Sequence, residues 1–434
     1  MNGDQQMTSG QALESALRAR EEARERITRG RYQQAVECVR RGLGHLDPLP
    51  PSEVKEEAQF GLVLERGWAK RYGADFDDAV ADFELVRGEA RSPAQRTEAL
   101  VGLGDCYSKL GEYRPATEAY QRALEEADEI DDTTSRIRGW KGLGSTYWRQ
   151  GRMEDAVRTL NRARSSLRKH PDAFELGDVM LSLGIAYNFS GRFDQAMDAY
   201  REALDCFRSL GLDHGVVLAL NNLGEVHQEL YDLDRALMYH QQALEAAGAV
   251  EVRSIEVDVR RNIGVDLSRM ERYSEAMSYL EDALGQARER ADRDVAMQVL
   301  YSLGDAYLRQ GQVDRAMALA QELAAEAEAV QGEFHLTRAK LLQGRAFLAQ
   351  GDRQRAQAVL RDALTNAHAL PSRILLWELH AALGRASVDR EVARIHLQIA
   401  ADFIHQTIEP LSDAQIRANF LERPEVRAVL RGGS

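Results

Sequence analysis

Two imidazoles raise the first chemical question. His227 and His240 lie in one short stretch, and a pair of histidines brought into contact can sense pH or bind a metal ion. A metal site needs more ligands, and only Glu225 and Gln228 stand nearby in sequence. The expected arrangement is therefore two core histidines, each giving one hydrogen bond to backbone. No P-loop, dinucleotide-binding glycine fingerprint, GxSxG or HExxH motif occurs. The stretch GLGDCYSKLG at 102–111 places glycines as a phosphate loop does, but it reads as helix rather than as a turn after a strand. The carboxylates follow the solvated faces of amphipathic helices, with no isolated pair set for acid–base work. The expectation is a chain with no catalytic residue, no metal ligand and no cofactor, hence not an enzyme.

Composition narrows the class. The chain has 434 residues, 44% hydrophobic and 29% charged, with 9 prolines and 7% aromatics, which suits a soluble globular protein and neither a β-sandwich nor a disordered chain. Its formal charge of −13 lacks the basic footprint of a nucleic-acid-binding surface. Three widely spaced cysteines, Cys38, Cys106 and Cys206, build neither a disulfide framework nor a CxxC metal pair, and read as structural thiols in a reducing compartment. The N-terminal stretch MNGDQQMTSGQALESAL lacks a basic region followed by an apolar one, and no run approaches the ~18 apolar residues of a membrane span. A cytoplasmic location away from membranes is the expectation.

The elements that position these residues repeat every 40 residues. Glycine recurs at Gly104, Gly144, Gly184, Gly224, Gly264, Gly304, Gly344 and Gly384, usually after a leucine, with Ile263 replacing it in one unit. In the seven units from Gly104 to Gly344, three residues later comes a ring or large aliphatic group (Tyr107, Tyr147, Tyr187, His227, Leu267, Tyr307, Phe347) and twelve later always alanine, from Ala116 to Ala356. Sixteen and nineteen later stand a bulky residue and usually alanine, as in Tyr120 with Ala123. Leu103, Gly104 and Tyr107 share one face of a helix, where the glycine lets a second helix approach. Gly111, Gly151, Gly191, Gly311 and Gly351 suit the left-handed turn between the two helices. Each hairpin has an apolar face left over, which stacking on its neighbours buries.

This Leu-Gly-x-x-Tyr … Ala-x-x-x-Phe … Ala pattern resembles the tetratricopeptide repeat over residues 60–400. The resemblance implies an all-α, right-handed superhelical solenoid. Weaker units around Gly67 and around Ala23, Gly30 and Ala35 extend the count to about ten hairpins. The expected organisation is a degenerate hairpin at 1–46, a repeat array at 55–405, and capping helices with a flexible end at 406–434. In the last segment Ile416, Phe420, Val426 and Leu430 are expected to face inward. Units of 40 rather than 34 residues resemble those of Leu-Gly-Asn-type adaptors, kinesin light chains and the repeat arms of bacterial signalling ATPases and kinases. The tail, with Arg417-x-x-Phe420-Leu421 … Pro424-x-Val426, is similar to the closing segment of those arms.

In that family the first helix of each unit lines a concave groove and the tyrosine and phenylalanine positions of a hairpin pack together, which would bring His227 and His240 into contact. The resemblance thus places nine basic and seven acidic residues in the groove. Lys109, Arg149, Arg269 and Arg309 form one column, where the helix dipole also favours cations. Lys141, Asn221, Arg261 and Tyr301 form a second, farther from the helix ends. Arg138, Trp148, Asn188, Glu225 and Gln228 fall on the same surface. Arginines can pair with a ligand's carboxylates, amide side chains with its backbone, and Trp148 with an apolar anchor. The expected function is a scaffold or adaptor that holds a partner peptide or helix, acidic or of mixed charge. The alternative is a ligand-sensing regulatory module of a bacterial signalling or transcription-control system, acting on a separate output protein. Homo-oligomerisation stays open.

Overall fold

Seventeen-residue helices joined by three-residue turns account for the period of 40. A computed structural model describes residues 8–249, 253–367 and 373–432 and divides the chain into two units, Met1–Ser182 and Leu183–Ser434. In unit 1 the helices are α1 (Ser9–Thr28), α2 (Tyr32–Leu46), α3 (Glu53–Tyr72) and α4 (Phe76–Glu89). They continue with α5 (Pro93–Lys109), α6 (Tyr113–Glu129), α7 (Thr133–Arg149) and α8 (Met153–Leu167), and the division between the units falls within α9 (Ala173–Phe189). Unit 2 holds α10 (Phe193–Ser209), α11 (Asp213–Glu229), α12 (Leu233–Ala249), α13 (Arg253–Arg269) and α14 (Tyr273–Glu289). Next come α15 (Arg293–Arg309), α16 (Val313–Ala329), α17 (Glu333–Ala349), α18 (Arg353–Ala367) and α19 (Arg373–Ala386). The last three are α20 (Arg390–Ile408), α21 (Ala414–Glu422) and α22 (Pro424–Gly432). No described helix is long and apolar enough to cross a membrane.

Local chemistry sets each boundary. Thr8 and Gln11 form a capping box at the start of α1, and Ser52, Asp132, Asp292, Asp389 and Asp413 cap later helices with side-chain oxygens. Each hairpin turn closes with one backbone bond returning five residues, such as Glu112 N–H to Tyr107 C=O at 2.8 Å and Asp232 N–H to His227 C=O at 2.8 Å. That bond needs a left-handed residue just before it. Gly111, Gly151, Gly191, Gly311 and Gly351 supply it with φ from 73° to 81°. Glu271 takes the same conformation at φ 62° with no glycine to ease it. Glu271→Gly is expected to stabilise the fold by about 1 kcal/mol, read from the urea midpoint at unchanged m-value.

Packing follows the repeat. All seven alanines twelve residues after the consensus glycine, Ala116 through Ala356, are 0% exposed. A methyl group on Gly184 would lie 2.4 Å from the Tyr200 ring, so no side chain fits between the two helices there. At Gly304 the opposing residue is the small Ala320, and Leu342 of the following hairpin fills the gap instead. Beyond the array, Ile416, Phe420, Val426 and Val429 are buried. Val429 thus takes the inward place expected of Leu430, which is only partly buried, because α22 begins at Pro424 and its buried face falls at 426 and 429. Gly433 and Ser434, expected as a flexible end, lie outside the described residues.

Candidate functional site

Within each unit, successive odd-numbered helices pack on one another: α1 on α3, α3 on α5 and α5 on α7 in unit 1, and α11 through α19 likewise in unit 2. Apart from α20 and α22 at the C-terminal end, no comparable packing joins successive even-numbered helices among the described residues. The odd helices therefore form the inner row of each array, and their exposed faces are the candidate site.

Most predicted groove residues are engaged along this row. In unit 1 Arg138 donates to Glu175 at 2.5 Å, and Lys141 donates to Asp178 at 2.8 Å while standing 3.6 Å from Glu175. Burial would weaken Lys141 as a base, but the two carboxylates more than offset it and raise the ammonium's pKa. Arg149 differs. Its guanidinium lies 4.5 Å over the ring of Trp148, and among the described residues neither it nor Lys109 forms an ion pair. Desolvation by the surrounding side chains, with Arg149 and Arg71 close by, pushes the Lys109 ammonium down to about 8.

In unit 2 amides and carboxylates link α11 to α13. Asn221 donates to Glu225 at 3.2 Å and accepts from Asn262 at 2.9 Å, and Asn262 also donates to Glu225 at 3.0 Å. Gln228 donates to the Asn262 carbonyl at 3.1 Å and to Asp266 at 2.8 Å. These amides hold neighbouring helices, which leaves little of them for a ligand backbone. Arg261 keeps only loose pairs, 3.8 Å from Glu225 and 3.9 Å from Asp258. Arg269 donates to the Gln228 carbonyl at 2.7 Å and has no carboxylate partner among the described residues. Burial together with Arg423 and Arg309 lowers its pKa. Tyr301 lies beneath the guanidinium of Arg338 at 3.8 Å, and Arg338 likewise forms no ion pair among the described residues.

Asn188 donates to Glu229, whose carboxyl is pushed up to about 8 by burial and by the neighbouring Glu225. Folded Glu229 therefore keeps its proton to a higher pH than the ordinary carboxyl at 4.5. The stability this contributes is complete below pH 4.5 and is lost as pH rises through about 8. Glu229→Gln, which cannot ionise, is expected to melt alike at low pH and to exceed the wild type by about 2 kcal/mol at pH 9. Thermal melts across pH 5–9 check this.

The two histidines do not meet as expected. His227 Nδ1 lies 3.0 Å from Asp232 and its ring stacks on Tyr239, with centroids 5.4 Å apart. His240 Nδ1 lies 2.6 Å from Asp266. Neither imidazole hydrogen-bonds to the other, and both bond carboxylates rather than backbone. The cause is room: His240 lies against Gly224, while His227 turns toward the hairpin's own Asp232. Both Nε2 atoms are buried without a hydrogen-bond partner. Among the described residues no three His, Cys, Asp or Glu side chains converge as a metal site.

The C-terminal segment also enters this surface, a placement that sequence reasoning missed. Ser412 N–H donates to Asp194 at 2.7 Å, and Asn419 donates to Asp232 at 3.3 Å. Arg423, 3% exposed, donates to Glu378 at 2.6 Å and lies 4.8 Å from the Trp377 ring centre. Glu425 accepts from Arg309 at 2.7 Å, and Arg309 also donates to Asp305 at 2.7 Å. The predicted groove residue Arg309 is thus neutralised from within the chain. The Arg-Pro-Glu sequence at 423–425 was the only available signal, and nothing in it names partners so distant.

A row of helical hairpins with a charged inner face defines a helical-repeat solenoid. The chain belongs to the tetratricopeptide repeat family: family profiles described as "Tetratricopeptide repeat" match residues 97–129, 133–209, 213–289 and 261–330. No curated protein matches it in sequence. Among solved structures it is similar to a Rap protein complexed with Competence and Sporulation Factor (15% identity, 96% of this chain and 98% of that one, TM-score 0.57). It is also similar to the apo form of the quorum sensor NprR from B. thuringiensis (14%, 81% and 99%, TM-score 0.59). A third is a Signal Transduction ATPase with Numerous Domains carrying a tetratricopeptide repeat sensor, from Pyrococcus horikoshii (15%, 77% and 53%, TM-score 0.55). At these identities the likeness is one of fold.

Proposed function

We propose that this chain is the receptor module of a regulatory system, which takes a short carboxylate-bearing peptide or partner segment on its inner helix row and acts on a separate signalling or transcription protein. The carrying observation is a contrast, within each unit, among cations of its inner-row helices. Arg138, Lys141 and Arg309 are neutralised by carboxylates of the chain itself, whereas Lys109 with Arg149, and Arg269 with Arg338, are not. A partly desolvated cation without a counter-charge is costly to the free protein, and a ligand carboxylate relieves that cost. The solved proteins of this fold support the regulatory reading over a passive scaffold: one is a quorum sensor, one binds Competence and Sporulation Factor, and one uses its repeats as a sensor. On this reading the chain works in the cytoplasm by binding and not by catalysis.

Peptide display on the wild-type chain tests the proposal, followed by titration of the enriched peptides against charge-reversed variants. Acidic peptides are expected, with affinity falling about tenfold or more in Lys109→Glu/Arg149→Glu or in Arg269→Glu/Arg338→Glu while helicity stays constant. Peptides that bind both variants as tightly as the wild type would remove the inner row from the mechanism.

A further inference from the structure

Where the C-terminal segment closes onto unit 2 it leaves a cavity of about 250 Å³ between α17, α19, α20 and α22. Apolar groups form its walls, among them Trp377, Leu397 and Val429. Three arginines line it, Arg345, Arg385 and Arg423, against two carboxylates, Glu378 and Glu425. Four of these five are already matched: Arg423 with both carboxylates, and Arg345 with Asp305 at 2.7 Å and with Glu425 at 3.9 Å. Arg385 is the exception, exposed and without an ion pair among the described residues. The volume lies just below the ~300 Å³ at which drug-sized pockets begin, and suits a ligand the size of one aromatic residue.

We infer that this cavity is a binding site for a small apolar carboxylate, its hydrocarbon part against Trp377, Leu397 and Val429 and its carboxylate on Arg385. The assignment names a ligand class for the receptor function proposed above and rests on that reading. It also carries a consequence for the tail. Because α22 forms one wall, an occupant binds only while α22 is docked, so ligand binding and tail docking stabilise each other by linkage. Two sources share the required chemistry: a free aryl carboxylate, and the apolar C-terminal residue of a peptide.

Isothermal titration of the full chain with 3-phenylpropionate and with the dipeptide Gly-Phe separates them, with Gly-Phe amide as the probe lacking the carboxylate. Arg385 and Ala428 are both exposed, so Arg385→Glu removes the cation and Ala428→Phe fills the cavity from α22 without entering the core. Binding of either acid that weakens about tenfold or more in both variants, with the amide binding no better than they do, supports the site. A preference for 3-phenylpropionate then indicates a metabolite ligand, and a preference for Gly-Phe a peptide terminus. Silence from both acids, or binding that survives either substitution or amidation, overturns it. The inner-row proposal is judged on Lys109, Arg149, Arg269 and Arg338, so its failure and that of the cavity are read from different variants.

Discussion

Asp266→Ala is expected to destabilise unit 2 by about 3 kcal/mol, the upper end of the cost of leaving a buried hydrogen-bonding group unsatisfied. Asp266 and His240 are both 0% exposed, and the carboxylate accepts from His240 and, at 2.8 Å, from Gln228. The three residues lie on α13, α12 and α11, so one carboxylate ties two successive hairpins together. Alanine leaves the His240 Nδ1 in the core without its partner and the Gln228 amide with only the Asn262 carbonyl. Asp266→Asn keeps one acceptor oxygen and is expected to lose less. Because repeat arrays derive stability from nearest-neighbour interfaces, the loss should concentrate in α11–α14. Hydrogen exchange should show faster opening there than in α1–α4, and calorimetry should show a melting temperature lower by roughly 10 °C. Unchanged exchange in α11–α13 would mean that the pair does not hold the hairpins together.

The second large effect concerns the tail. Arg423→Ala is expected to undock α21 and α22 while leaving the array folded. Arg423 satisfies Glu378 at 2.6 Å and Glu425 at 3.3 Å, so its loss costs ~3–5 kcal/mol, stranding Glu378 and leaving Glu425 only Arg309 and Arg345. Against this, Ile416, Phe420, Val426 and Val429 keep the segment attached, each contributing about 1.5–3 kcal/mol when buried. The ordering cost of some twenty residues consumes much of that gain, so the ionic term decides the balance. Trypsin should cut at Arg417 and Arg427 about tenfold or more faster in the variant, with the melting of α11–α18 preserved. The pH dependence has a definite sign. Burial would raise the Glu425 pKa, but Arg423, Arg309 and Arg345 outweigh it and hold the carboxyl at about 2, below its ordinary 4.5. Tail docking is therefore fully supported above pH 4.5 and weakens as pH falls toward 2. Protection of the tail that persists in Arg423→Ala would show that its apolar contacts suffice.

These expectations divide between what was legible in the chain and what was not. The consensus glycines, the alanine column and the turn residues act over fewer than twenty positions. Apart from Gly304, which meets Leu342 of the next hairpin, each encodes a contact made within its own hairpin, as Gly184 against Tyr200 and Gly111 at φ 80° show. Period, hairpins and inner row were readable for that reason. The state of the inner-row charges was only partly readable. Arg138 meets Glu175 and Lys141 meets Asp178 at the same separation of 37 residues, one period less a turn. Charge complementarity at that offset would have revealed both pairs, whereas reading each column by itself left them looking available to a ligand. The histidines mark a further limit. Their pairing with Asp232 and Asp266 depends on which side chain the space beside Gly224 admits, a question of packing rather than spacing.

The tail stands at the other extreme. Glu425 meets Arg309 across 116 residues, Asn419 meets Asp232 across 187, and Ser412 meets Asp194 across 218. No periodicity connects those positions, because they come together only after the intervening hairpins have stacked and brought their turns into one row. By itself the sequence determined the repeat, the helix boundaries and the face that would become the inner row, since short-range sterics and capping dictate them. The tertiary structure alone decided which cations are neutralised and where the tail closes a cavity, since those outcomes depend on the summed geometry of many repeats.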